Sequence, residues 1–455
     1  HKFRKNIIIT SNSSMLLNLN YDCILHMFSF LSTREKVKLA QLNDRLKQVF
    51  EYTDIKNKTV FFCNLTLMDI RFICREFGSI IQKINIGNLN TSYRSKNLYR
   101  APEYITKYCR ELRCLCFEDM RISFECTNFG LLKNLRKITL RNCDITDDVF
   151  FHLSKMQNLT HLDVSENKRL TGKYLVDFPQ LVHLNLDGCI GIKMFTFLPF
   201  CSHSRIIKNL KSLNLAECFY SKSNIFAKLA SLENLENLTI STNDLSLLQQ
   251  TQGLKQLLIY TADSLFHPYR DITKKDTPSL ETLLIIGETG IFPFQPSKIA
   301  KRFIFSIKNI KVLGLLYCRN LDDEDMNKIA NMPELTCLNL TGCHNFSLTF
   351  LLTLFKKPNK IQHIDISETN FFDNFLPSWY AHVADVILKK MKETGRTTPC
   401  TLYATGIKFD TVCILVHALF KNIRIFHVQI NKLTKRSLIT KVSKQTSSRS
   451  KSYIY

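Results

Sequence analysis

Apolar residues recur at fixed spacing along most of this chain. Three nine-residue phrases nearly coincide: LVHLNLDGC (181–189), LKSLNLAEC (210–218) and LTCLNLTGC (335–343). Their shared template is L-x-x-L-x-L-x-x-(C/N), with any aliphatic residue at the L positions. It also fits from Leu135, Leu159, Leu235 and Ile310, and weaker copies begin at Ile81, Leu112, Leu254, Leu280, Ile361 and Ile423. A period of about 20–50 residues marks a repeat architecture. Within each phrase the apolar residues alternate, which predicts a short strand with one buried face. A turn follows the ninth position, then a helical stretch such as DDVFFHLSKM (147–156) or DEDMNKIANM (323–332). One strand and one helix cannot bury their own apolar faces, so neighbouring units must stack into a continuous core. The pattern predicts an α/β solenoid shaped as a horseshoe, with parallel strands on the concave face and helices outside.

Residues 17–52, LNLNYDCILHMFSFLSTREKVKLAQLNDRLKQVFEY, follow a helical pattern instead. Asp22 is placed to cap a first helix carrying Ile24, Leu25, Phe28 and Leu31. Thr33 is placed to cap a second with Val37, Leu39, Ala40 and Leu42. A third carries Leu46, Val49 and Phe50. Three short helices make a small core, and the apolar residues left over on such a unit meet another protein or a neighbouring domain.

The ninth position ends each strand, where the chain turns inward. Cys143, Cys189, Cys218, Cys318 and Cys343 have no second ligand at zinc-type spacing, and Cys114-x-Cys116 is not followed by a second pair. These thiols are read as packing residues that help satisfy backbone groups of the turn. On this pattern, residues 131–431 resemble leucine-rich repeats of the cysteine-containing subclass. In that family Asn or Cys at the ninth position points into the stack.

Residues 17–52 in turn resemble an F-box. Leu19 takes the family's first Leu, Ile24 and Leu25 its aliphatic pair, and Met27-Phe28-Ser29-Phe30-Leu31 its centre. Val37, Leu39 and Leu42 follow in step, and Arg45 takes the basic position. Asn20 stands where the family has Pro, Asn43 where it has Cys, and Leu46 where it has Trp. The resemblance implies a three-helix unit that docks the Skp-type adaptor of a cullin–RING ubiquitin ligase core. Leu19, Ile24, Leu25, Phe28, Leu31, Val37 and Leu39 would be its adaptor-facing or supporting set. The repeats would hold an as yet unspecified protein substrate, and the chain would be a non-catalytic receptor subunit. The alternative is a repeat scaffold without the adaptor. Domain boundaries follow: 1–14 a disordered segment, 15–55 the F-box-like helices, 56–130 a connector with degenerate first repeats, 131–431 the repeats, and 432–455 a basic disordered tail.

Composition narrows the rest. The 455 residues carry a formal net charge of +23. Removing the last 24, with seven Lys/Arg and no acid, leaves +16 on the remainder, so the excess is diffuse. Diffuse positive charge attracts polyanions without specifying one, and nucleic acid is not the expected partner, the basic tail notwithstanding. The opening HKFRKNIIITSNSS has only a three-residue apolar run and makes a poor signal peptide. No apolar run approaches the ~20 residues a membrane helix needs. Sixteen cysteines without framework spacing suit a reducing compartment, cytoplasmic or nuclear. Dinucleotide, Walker, metalloprotease and nucleophile-elbow motifs are absent from the sequence, and no cofactor is expected. His161, His183 and Asp163 share a strand face, but an open, wet face is a poor place to shift a pKa.

The candidate substrate surface lies on the strands' outward positions. Early repeats place Lys137, Thr139 and Arg141 there, then His161, Asp163 and Ser165, then His183, Asn185 and Asp187. Later repeats place Leu258, Tyr260, Leu284, Ile286, Val312 and Leu316 there, an apolar patch across adjacent strands. Two readings stay open, partner binding and self-coverage. Phe266, Tyr269, Phe292 and Phe294, in the irregular stretches 261–279 and 287–303, are the candidate cover.

Overall fold

A computed structural model describes residues 18–55, 57–62, 65–87, 98–122, 128–218, 224–242, 253–261, 279–287, 295–344, 359–369, 400–403 and 426–429, with a few single positions between. Five elements of the sequence reading lie outside the described residues: the segment 1–14, the basic tail, the repeat start at Ile423, and the candidate cover residues of both irregular stretches. The chain divides into two compact units. One is His1–Phe219 with Ser231–Asn234, and the other is Tyr220–Ala230 with Leu235–Tyr455.

The first unit opens with three short helices, α1 (Tyr21–Ser29), α2 (Thr33–Ala40) and α3 (Asp44–Phe50). Ile24, Phe28, Val37, Leu46, Val49 and Phe50 close their core. The caps sit one or two residues earlier than the sequence reading places them. Asn20, not Asp22, caps α1, its side chain accepting from the Asp22 N–H. Asp22 instead lies in the first turn, where its charge suits the positive helix end. Ser32, not Thr33, caps α2. It forms a capping box in which the Glu35 carboxylate accepts the Ser32 N–H at 2.9 Å. A cap must be extended rather than helical, and Ser32 is (φ −66°, ψ 155°).

Seven strands follow in this unit: β1 (Thr59–Phe61), β2 (Lys83–Ile86), β3 (Cys114–Glu118), β4 (Lys137–Arg141), β5 (His161–Asp163), β6 (His183–Asn185) and β7 (Ser212–Leu215). Each pairs in parallel with the next. On the outer side lie α4 (Leu67–Phe77), α5 (Ala101–Tyr108), α6 (Asp147–Leu153), α7 (Met194–Cys201) and α8 (Ser204–Asn209). The second unit holds α9 (Asn224–Ala230), α10 (Lys298–Ser306) and α11 (Asp323–Ala330). Its strands are β8 (Asn237–Ser241), β9 (Gln256–Tyr260), β10 (Thr282–Ile286), β11 (Val312–Leu316), β12 (Cys337–Asn339), β13 (His363–Asp365), β14 (Cys400–Tyr403) and β15 (Phe426–Gln429), again parallel in chain order. These are leucine-rich repeats.

Register explains why the template recurs. The fourth-position residues Ile84, Leu115, Ile138, Leu162, Leu184 and Leu213 align directly across β2–β7. Leu238, Leu257, Leu283, Leu313, Leu338 and Ile364 do the same across β8–β13. All are buried. The weaker copies at Ile81, Leu112, Leu254, Leu280 and Ile361 sit in the same register, with their first residues buried. The template misses β1 and β14, whose first-position equivalents are Asn57 and Pro399.

Two devices recur at the ends of the described strands. The ninth residue reaches back to the carbonyl of the sixth residue of the preceding repeat. Cys143 Sγ donates to Phe117 O (3.4 Å), Cys189 to Val164 O (3.1 Å), Cys218 to Leu186 O (2.7 Å) and Cys343 to Leu315 O (2.9 Å). Asn167 does this and more: its amide donates to Leu140 O, Val164 O and Ser165 O, and its oxygen accepts from Cys143 N and Ile145 N. Burial pushes the Cys143 and Cys189 thiols up to about 12, so they remain protonated donors. Cys318 differs, its Sγ lying 3.5 Å from Asn320 Oδ1.

The eighth residue supplies the second device. It adopts a left-handed backbone at Asp119, Asn142, Glu166, Gly188, Glu217, Tyr317, Gly342 and Glu368, with φ between 50° and 70°. This turn aims the eighth N–H at the seventh carbonyl of the next repeat, as in Asn142 N to Ser165 O, Glu166 N to Asp187 O and Gly342 N to Ser367 O. Only Gly188 and Gly342 adopt it without strain; elsewhere a side chain accepts a cost of about 1–2 kcal/mol. Gly342 has a further reason to be glycine. The Tyr317 ring lies across it, and an added Cβ would meet Tyr317 Cδ1 at 2.2 Å. Beyond it, Tyr317 Oη donates to Glu368 Oε2 at 2.7 Å.

Two expectations follow, both read by urea denaturation. Asn167→Ala, which orphans buried groups on both sides, destabilises by roughly 3 kcal/mol, more than Cys189→Ala. Gly342→Ala destabilises by about 2 kcal/mol or more, exceeding Gly188→Ala, which meets the same φ penalty without the ring.

Candidate functional site

Three surfaces among the described residues carry the residues the sequence singles out: the N-terminal helices and one strand face in each unit.

On the helices, Ile24, Phe28 and Val37 are fully buried, so they support the fold rather than present a surface. Leu25, Leu31 and Leu39 are half-buried, and Leu19 is exposed. The outward apolar residues are others. Phe30, just past the end of α1, is 77% exposed, and Leu42, in the turn after α2, is 54% exposed. The helical period does not mark Phe30, which lies past the end of α1, and it places Leu42 within the second helix, whereas α2 ends at Ala40 and leaves Leu42 in the turn. Tyr21 and Tyr52, also exposed, meet edge to face at 6.5 Å. Arg45 Nη2 donates to Leu19 O at 2.7 Å, tying the entry of α1 to α3.

In the first unit most outward strand positions are polar, the exposed Phe61 of β1 being an exception, but many serve the fold. In three of its repeats the fifth residue accepts from the backbone N–H two residues on: Asp163 from Ser165, Asn185 from Asp187, Asn214 from Ala216. Asn339 and Asp365 do the same in the second unit. These side-chain turns peel the chain out of the sheet. Asp163 and Asn185 are also bonded to each other at 3.0 Å. Arg141 pairs with Glu166 at 2.6 Å. His161 and His183, opposite one another in register, stack with centroids 4.2 Å apart.

That stack corrects one expectation, because this face does shift pKa values. Burial, then His183 and Lys137, hold His161 down to about 4. Burial, then Glu217 and Glu166, push Asp187 up to about 6. Thr160 Oγ1 lies 2.8 Å from His161 Nδ1, so the ring is engaged by the neighbouring hydroxyl as well as by the stack.

In the second unit the apolar patch is present but mostly closed on itself. Leu284, Val312 and Leu316 are buried, while Leu258, Tyr260 and Ile286 are half-buried. The reason is Gly314, where the outward row lacks a side chain. Leu284 Cδ2 and Leu316 Cδ1 would lie 2.6 Å and 2.9 Å from a Cβ there, so both lean into the gap. Leu284 and Val312 form one buried cluster with Cys337, and Leu258 packs against it. The outward positions alone do not reveal this, because the gap lies on one strand and its fillers on that strand and its neighbour.

No helix among the described residues is long and apolar enough to cross a membrane. The repeat geometry is that of the leucine-rich-repeat fold. No protein-family model and no curated protein sequence matches the chain. Among solved structures, it is similar to an internalin (inlF) from Listeria monocytogenes at 14% identity, with a TM-score of 0.44, over 76% of this chain and 91% of that one. It is also similar to a leucine-rich-repeat protein of Leptospira interrogans at 16% identity and a TM-score of 0.38, over 76% of this chain and 99% of that one. The TLR13–ssRNA13 complex gives 16%, 0.38, 78% and 40% respectively. At these values the likeness assigns no partner.

The two shifted groups act in opposite directions on stability. Between about 6.5 and 4 the unfolded chain protonates His161 and the folded one does not, so its contribution is complete above that window and is lost as pH falls. Asp187, raised from 3.8 to about 6, keeps its proton when folded, so its contribution is lost as pH rises through that window. Denaturation midpoints from pH 4 to 7 are expected to rise less steeply with pH in His161→Gln, and more steeply in Asp187→Asn, than in the parent.

Proposed function

We propose that this chain is the substrate-recognition subunit of a cullin–RING ubiquitin ligase. Residues 17–52 dock the Skp-type adaptor, the repeats hold the protein to be ubiquitinated, and the chain itself does no chemistry. The observation that carries this reading is the N-terminal unit. Its own core is filled by Ile24, Phe28, Val37, Leu46, Val49 and Phe50, yet it leaves Phe30 and Leu42 in solvent. An exposed phenylalanine on so small a unit is a contact awaiting a partner. In the second unit the half-buried Leu258, Tyr260 and Ile286 form the accessible part of the substrate patch, and Leu284, Val312 and Leu316 support it. On this reading the protein works in the cytoplasm or nucleus.

A scaffold without the adaptor is the second reading. It is favoured by the residues that depart from the F-box pattern, because Asn20 and Leu46 have complete roles in this fold, as helix cap and buried core.

The deciding measurement is retention of purified Skp-type adaptor by the full chain. The parent is expected to bind. Phe30→Ala/Leu42→Ala is expected to lose at least tenfold, with its thermal melt unchanged, because both residues are exposed. Phe28→Ala serves as the control that lowers the melt. No binding by the folded parent would overturn the ligase reading and leave the scaffold.

A further inference from the structure

The outer side of the first unit carries a surface that neither strand face explains. Outer helices bury one stripe and expose the other. In α6, Val149, Phe150 and Leu153 point into the core, but the neighbouring Phe151 is 50% exposed. In α7, Phe197, Phe200 and Cys201 are buried, but Phe195 is 76% exposed. Ile190, in the turn entering that connection, is 57% exposed.

These residues belong to three successive repeats that are stitched together at this side. Asp147, at the start of α6, accepts from Thr171 N, Thr171 Oγ1 and Gly172 N. Thr171 O in turn accepts from Lys193 N and Thr196 Oγ1, at the start of α7. The stitches join the connections that carry Phe151, Tyr174 and Phe195, and the Phe151 and Tyr174 rings lie 6.1 Å apart.

The three outer connections, 144–158, 168–180 and 190–209, carry seven Lys/Arg against four Asp. Lys155 Nζ sits 4.9 Å from the centre of Phe151, and Lys173 Nζ sits 5.1 Å from the centre of Tyr174. Each lysine therefore rests on a ring rather than on a carboxylate. The acids nearby are largely taken: Asp147 by the stitch, and Asp144 by Arg121 and Arg169. Asp148 and Asp177 are the exposed acids on the same connections.

From this geometry we infer that the outer face of the first unit is a docking surface for an acidic protein segment with apolar anchors. Phe151, Phe195 and Ile190 provide the apolar centre, and Lys155 and Lys173 provide the charged rim. An apolar centre inside a charged rim is the anatomy of a protein interface. Single-stranded nucleic acid fits less well, because it needs free ring faces for stacking. Here two of the three rings, Phe151 and Tyr174, are already covered by the chain's own lysines. The inference does not depend on whether the N-terminal helices dock an adaptor.

The test is a displayed random-peptide selection on the full chain, counter-selected on Phe151→Ser/Phe195→Ser. Enriched peptides are expected to combine Asp/Glu with Leu, Phe or Trp. Synthesised singly, they are expected to bind the parent at least tenfold more tightly than the double variant. Lys155→Glu/Lys173→Glu is expected to weaken them similarly, and added salt to weaken binding to the parent. All four substituted residues are exposed or lie on the surface, so the thermal melts should match the parent. The inference is overturned if no peptide distinguishes parent from variant, or if enriched peptides show no acidic bias. It is also overturned if a uridine oligonucleotide or anionic phosphatidylserine vesicles, and no peptide, lose binding in the Phe variant.

Discussion

Five of the repeats are closed at the carbonyl left open where a strand ends. A parallel strand that leaves its sheet strands a buried acceptor, and a buried acceptor without a donor costs about 1–3 kcal/mol. Here the donor comes from the next repeat, through the ninth-position thiol of Cys143, Cys189, Cys218 or Cys343, or the amide of Asn167. The same contact holds a repeat closed and fixes the distance to its neighbour. Leucine burial supplies most of the favourable free energy, but it is non-directional. The thiol–carbonyl contact and the left-handed eighth residue provide direction, and they keep the fourth-position side chains aligned from strand to strand.

That division of labour leaves less surface for partners than a count of outward positions suggests. Asp163, Asn185, Asn214, Asn339 and Asp365 face outward yet serve to bend the backbone. Leu284 and Leu316 face outward yet fill the space above Gly314. The residues with nothing to do inside the fold lie elsewhere, at the ends of the N-terminal helices and on the outer connections. They are aromatic more often than not.

The repeat core was almost wholly legible in the sequence, because each buried leucine recurs at a fixed offset and burial tolerates little else there. The weak copies at Ile81 and Leu280 were legible for the same reason. The strands β1 and β14 were not, since Asn57 and Pro399 stand where an aliphatic residue announces the others. The caps lie a residue or two before the positions the pattern favours: Ser32, paired with Glu35, caps the second helix in place of Thr33. The surfaces were harder. Period alone separates the two sides of a helix, but Phe30 and Leu42 lie past helix ends. Whether Leu284 is covered depends on Gly314, thirty residues away. No local pattern carries that information.

Repeat proteins are commonly treated as chains in which each unit feels only its immediate neighbours. Tyr317 departs from that description. Its ring crosses the repeat containing Gly342, and its hydroxyl is held by Glu368 in the repeat after. The bond therefore couples next-nearest neighbours, and neither outer repeat can peel away while the middle one stays ordered without breaking it. Three repeats that would otherwise melt one at a time become a single cooperative block. The small residue at position 342 makes that block possible, by leaving a channel through which one repeat can hold another it does not touch.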